Sequence, residues 1–127
     1  MTAPGRYLAK ARESLASAQA DLGAGRANSS AARAYYAAFQ AAVSMLIAEG
    51  VHPRRGNWDH KFVMTEFSGR LVSSRRIISS RFRNTLQTLF DVRVIADYQE
   101  RDVSRTQARR AVRAASELLG EIESKLR

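Results

Sequence analysis

The chain has 127 residues, no cysteine, and 21 Lys plus Arg against 12 Asp plus Glu. That length suits one domain, residues 1–127, around one core; no stretch approaches the ~20 apolar residues of a membrane span, and disulfides and thiolate metal sites are excluded. His52 and His60 are the only histidines, so a multi-histidine metal site is not expected, and no cofactor is expected; MTAPGRYLAKARESL has no apolar signal-peptide core, and the absence of cysteine fits a cytoplasmic protein.

Helical signals run throughout, and no β-branched alternating run bounded by turn residues appears. A first helix is predicted after Pro4-Gly5, with Leu8, Ala11, Leu15, Ala18 and Leu22 at a strict a/d spacing and Gly23 and Gly25 at its end. A second follows Asn28-Ser29-Ser30, good N-cap residues, and runs to Gly50. It is apolar on most of its circumference, as a central buried helix should be. VHPRRGNWDH, with Pro53 and Gly56, reads as a loop. A shorter helix spans about Asp59 to Ser68, with a break near Gly69 and Ser73-Ser74. A long helix covers about Ser79 to Tyr98, and the last begins at Ser104-Arg-Thr-Gln107, a capping-box pattern. The fold class is all-α: an antiparallel up-and-down bundle of four long helices plus a short helix.

The net charge is +9, nearly all from arginine. Arginine favours bidentate contact with phosphate, and a basic balance of this size suggests a polyanionic partner. Twenty-one alanines offer a plainer account, a GC-rich genome. Distribution separates the two: residues 51–90 hold eight basic and two acidic side chains, net +6, and contain no alanine at all.

One position breaks the apolar pattern. Phe82, Leu86, Leu89, Arg93 and Ala96 fall on one helical face, and the fourth carries a guanidinium. Burying it unpaired would be costly. Asp97, four residues on, is within reach, so a local ion pair is the simplest account. Arg33, Tyr36 and Gln40 share a face of the second helix, although Tyr35, Tyr36 and Phe39 read first as core. Arg54, Arg55, Asn57 and His60 surround Trp58 in the loop; this reads as a solvated loop with Trp58 docked on the bundle, and secondarily as an RNA contact. Paired catalytic carboxylates, a phosphate-binding glycine loop and a Ser-His-Asp nucleophile motif are not evident.

SSAARAYYAAFQAA, then VHPRRGNWDH followed by Phe62 and Phe67, then RVIADY, together resemble the HEPN domain family (higher eukaryotes and prokaryotes nucleotide-binding), in particular its small bacterial toxin-like branch. The resemblance extends from about Tyr7 to Leu126. It implies an up-and-down bundle, a homodimer, and, as often in the family, a role as the toxin-like component of a toxin–antitoxin pair; a minimal nucleotidyltransferase is a frequent neighbour and a candidate antitoxin. Active members are metal-independent endoribonucleases. Their signature, an arginine followed after four to six residues by a histidine, comes from both subunits across the dimer interface.

Arg93 takes the arginine position, but VIADYQERD follows it, with Tyr98 where the histidine would stand. Gln40 also stands where relatives often have histidine. Arg55 and His60 have the signature spacing on the wrong segment, a chance match unless folding brings His60 towards Arg93. Metal-free RNA cleavage needs a base for the 2′-hydroxyl, stabilisation of a charged phosphorane, and an acid for the leaving 5′-oxygen. Histidine suits the proton transfers; arginine suits charge stabilisation. The resemblance thus implies Arg93, Asp97 and Tyr98 as catalytic residues, with Arg33, Tyr36, Gln40, Arg54, Arg55 and His60 contacting RNA phosphate. The missing histidine leaves a second reading open: a non-catalytic HEPN module that binds RNA, a nucleotide or a partner protein.

Overall fold

The computed structural model describes residues 1–53 and 55–127. Its α-helices are α1 (Ala3–Gly23), α2 (Ala27–Ala48), α3 (His60–Glu66), α4 (Thr85–Tyr98) and α5 (Arg105–Lys125). Between α3 and α4 lie a π-helix (Phe67–Ser74) and a 3₁₀ turn (Ser80–Phe82). No strand occurs among the described residues, so the all-α bundle is as expected, with α3 as its short member. No helix among them is long and apolar enough to cross a membrane.

Alanine sets the spacing of this bundle. Ala34, Ala37, Ala38, Ala41 and Ala42 of α2 are fully buried, and methyl side chains let α1 and α5 approach α2 closely. Around them pack Leu46, Phe67, Leu71, Leu86, Leu89, Leu118 and Ile122, all in one core. Full burial of each such large side chain is worth about 1.5–3 kcal/mol. The two buried serines of α2 are satisfied locally: Ser30 Oγ donates to the Ala18 carbonyl at 2.8 Å and Ser44 Oγ to the Ala41 carbonyl at 2.6 Å. A smaller cluster of Ala31, Ile95, Val103 and Ala108 closes the end of the bundle where α4 passes to α5. Ile95 therefore anchors the half of α4 that carries Arg93.

Several boundaries differ from the sequence reading. α1 starts at Ala3 behind a Thr2 cap, because proline is well tolerated in a first helical turn. α2 starts at Ala27, and its expected cap residues have other partners. Asn28 bonds Asp102 and the Val103 amide, Ser29 bonds Asp21, and Ser30 bonds Ala18. The expected break at Gly69 is absent, since the chain keeps winding past α3 with wider turns: the Arg75 amide reaches the Arg70 carbonyl at 2.9 Å. The fourth helix is shorter than expected and begins at Thr85 after the 3₁₀ turn. The last helix starts as read, with the Ser104–Gln107 capping box formed.

Candidate functional site

Arg93 lies on α4, one turn beyond Phe90, facing α2. Its Nε donates to Asp97 Oδ2 at 3.1 Å and its Nη2 to Tyr98 Oη at 3.4 Å. Its guanidinium carbon sits 5.1 Å from the Tyr36 ring centroid, 5.5 Å from Tyr35 and 5.6 Å from Tyr98. Such cation–π contacts contribute roughly 0.5–1 kcal/mol each at exposed sites. The i,i+4 ion pair adds only about 0.3–0.5 kcal/mol. The Arg93 side chain is 17% exposed and that of Asp97 35%. Burial works against the charged guanidinium, but Tyr36, Tyr98, Asp97 and Tyr35 together outweigh it and hold its pKa above the ordinary value. Arg93 is thus a permanent, oriented cation at a half-open position.

The Arg33 guanidinium carbon also lies over the Tyr36 ring, 4.9 Å from its centroid. Tyr36 is therefore shared by two arginines, as its common face with Arg33 suggested. Tyr98 stands at the rim, 72% exposed.

Beneath this rim is a second layer. Tyr35 Oη and His60 Nδ1 are 2.7 Å apart. The His60 ring stacks on Phe90 with centroids 3.8 Å apart and 18° between planes. Its Nε2 is buried and has no hydrogen-bond partner among the described residues. Burial, then the positive charge of Arg93, pushes the His60 pKa down, against opposing pulls from Asp91 and Asp59. Burial pushes the Tyr35 phenol up, with Arg93 pulling the other way. The charge of Arg93 is therefore felt at both members of the buried pair.

Folding does bring His60 towards Arg93, which the loop position in sequence did not suggest. It does so through the cap at the start of α3, where Asp59 Oδ1 accepts from the Phe62 amide at 2.9 Å. The remaining expected residues lie elsewhere. Gln40 faces α1: with its amide nitrogen turned towards acceptors it donates to Ser14 Oγ at 2.7 Å and to the Lys10 and Tyr36 carbonyls at 3.0 and 3.2 Å. Arg55 is exposed, at a positive φ of 54° beside Gly56, and among the described residues no hydrogen bond or ion pair joins it to the Arg93 cluster. Arg54 lies outside the described residues. Trp58 packs on Phe62 and the core, as the plainer reading of that loop had it.

Tyr35 and Phe90 are the members that sequence reading did not assign to the site. Tyr35 reads as core because it is core; the adjacent aromatic pair YY was the available signal, since neighbours on a helix point about 100° apart and only one of the two could face the rim. No three His, Asp or Glu side chains among the described residues gather into a group able to hold a metal ion.

Among curated proteins, no sequence matches this chain. The HEPN domain model matches residues 5–125. With nearly the whole chain covered and the helical bundle in place, the protein belongs to the HEPN domain family.

Proposed function

We propose that this HEPN protein is the toxin-like component of a toxin–antitoxin pair and cleaves RNA without a metal ion, at a site that a second copy of the chain completes. The observation that carries the reading is Arg93, fixed by Asp97 and Tyr98 and walled by tyrosine rings. A cation held this way is suited to the phosphorane formed when a 2′-hydroxyl attacks the adjacent phosphorus. In this scheme Asp97 takes the 2′-hydroxyl proton. The P–O5′ bond breaks, and Tyr98 protonates the departing 5′-oxygen. Arg33 and Tyr36 support a neighbouring phosphate and base. In this reading the exposed ring of Tyr98 beside Arg93 lies on the face that meets the second copy. The family resemblance supports a minimal nucleotidyltransferase as the antitoxin.

A second reading, RNA binding without cleavage, is favoured by one observation. The site's histidine has Nδ1 engaged by Tyr35 and Nε2 sealed from solvent, so it presents no nitrogen to a substrate.

Labelled RNA incubated in EDTA with the parent protein and with Arg93→Ala and Arg93→Lys separates the two. Cleavage by the parent, reduced about 100-fold or more in Arg93→Ala and not restored by lysine, is expected under the first reading. Binding without cleavage, weakened by salt and lost in Arg93→Ala, establishes the second. Absence of both from the parent overturns both.

A further inference from the structure

Alongside α4, α3 and the π-helix run in the opposite direction, so that His60 lies against Phe90 and Ser73 against Arg83. Between the π-helix and the start of α4 the surface opens into a cleft of about 400 Å³, lined by Ser68, Gly69, Ser73, Arg83, Asn84 and Gln87 among others. That volume lies within the roughly 300–1,000 Å³ of small-ligand sites.

Two features set the cleft apart from an ordinary seam between helices. The first is its backbone. π-Helical turns are rare, and they occur disproportionately at functional sites. Here they bury Phe67 and Leu71 completely on the inner side, while the outer side is left open. A Cβ at Gly69 would meet nothing within 4 Å.

The second is its chemistry. Three arginines of this region are neutralised: Arg70 by Glu66, Arg75 by Glu49 and Arg81 by Glu117. Arg83 is instead held by the Ser73 hydroxyl and has no carboxylate partner among the described residues. Gln87 Nε2 donates to Asp91 Oδ1 at 2.7 Å, which orients its carbonyl oxygen as an acceptor. The Ser68 hydroxyl donates to the Met64 carbonyl, so the donors left to a ligand are the remaining N–H groups of the Arg83 guanidinium, the Ser73 hydroxyl and the two carboxamides, enough for a phosphate or the edge of a base.

We propose that this cleft is a subsite for one nucleotide of single-stranded RNA, on the same strand whose phosphate sits on Arg93; it rests on the reading of Arg93 as an RNA-phosphate site. Gln87 precedes Arg93 by six residues of α4, roughly 9 Å along the helix axis at 1.5 Å per residue, and Arg83 lies farther off in the turn before α4. At about 3.4 Å per stacked nucleotide the Gln87 and Arg93 contacts are some three nucleotides apart. The His60–Phe90 stack lies between them.

The test uses a fluorescein-labelled octanucleotide of 2′-O-methyl RNA, which resists cleavage, and the same label on a dinucleotide. Fluorescence anisotropy gives Kd for the parent, Gly69→Leu, Arg83→Ala and Arg93→Ala, with circular dichroism to show that each is folded. Gly69→Leu fills the cleft where there is open space, and Arg83→Ala removes its cation while leaving the volume. Both are expected to weaken octanucleotide binding about fivefold or more and to leave dinucleotide binding within about twofold. If only Arg93→Ala weakens the octanucleotide, the subsite is overturned and the Arg93 reading stands. If the two cleft variants weaken it and Arg93→Ala does not, the cleft binds RNA and the Arg93 reading fails. A parent that binds neither probe overturns both.

Discussion

The molecule is built from two unlike parts. Residues 1–50 and the last helix are rich in alanine, regularly wound and nearly balanced in charge up to Gly50, at five basic against three acidic side chains. Residues 51–90 contain no alanine and carry a net +6. They include the π-helix, the 3₁₀ turn and the two non-glycine residues at positive φ among those described, Arg55 and Arg76. The regular part supplies a rigid wall, and the irregular part supplies the variation laid against it. The candidate site sits where they meet: Tyr35 and Tyr36 come from the first and His60 and Phe90 from the second, while Arg93, Asp97 and Tyr98 lie on the part of α4 that follows.

The largest expected effect tests whether the irregular part is as firmly packed as the regular one. Phe67, in the π-helix, and Leu118, in α5, are both fully buried. Phe67→Ala should cost about 3–5 kcal/mol and Leu118→Ala about 2–5 kcal/mol, read from urea unfolding. A loss under about 1 kcal/mol at Phe67 would mean that the π-helix is loosely attached, and the contrast would become one of rigidity.

Next in size is the junction itself. Tyr35→Phe removes the only hydrogen-bond partner of the His60 ring among the described residues. His60 Nδ1, in a part-buried contact, then loses its partner, for about 1–3 kcal/mol. The same unfolding experiment measures it, and an unchanged midpoint would show that the 2.7 Å contact carries no weight.

Helix caps compare the two parts more finely. Ser104 caps α5 in the regular part and Asp59 caps α3 in the irregular one. Each alanine variant should lose about 0.5–2 kcal/mol. Asp59→Ala should also disturb His60, shown by a shift of its imidazole resonances in NMR; Ser104→Ala should leave those resonances in place.

The smallest effect is a pH slope. His60 has its pKa lowered on folding, first by burial and then by Arg93. The unfolded chain therefore binds a proton there more readily than the folded one. Stability from this group is complete above the ordinary histidine value of about 6.5 and falls as pH drops below it, towards the lowered folded value. The melting temperature of the parent should decline between about pH 7 and pH 5, and His60→Gln should remove that part of the decline. An identical profile in the variant would place the slope on carboxylates.

The same division explains what could be read from sequence. The a/d pattern of Leu8 through Leu22, the Ser104–Gln107 box and the spacing of Arg93 and Asp97 are local regularities, and the structure contains all three. A π-helix has no such periodic signature: Gly69 and Ser73-Ser74 looked like a break because small polar residues usually mark one. Asn28, Ser29 and Ser30 looked like caps because their residue types cap helices, but the partners they found lie in other segments. His60 could not be placed from its neighbours, since its stack on Phe90 exists only after thirty residues of chain have turned back.

One small contact has a wider consequence for motion. The Asn28 side chain binds Asp102 and accepts from the Val103 amide at 2.8 Å, tying the α1–α2 turn to the α4–α5 turn. With Ile95 buried before the Arg93 pair's end and Val103 buried after it, the chain from Asp97 to Arg101 is clamped at both sides. Its breathing is confined to a few residues. In hydrogen exchange the Val103 amide should outlast its neighbours at Gln99 to Asp102 despite lying outside any helix, because the tie to Asn28 holds this turn against the end of the bundle.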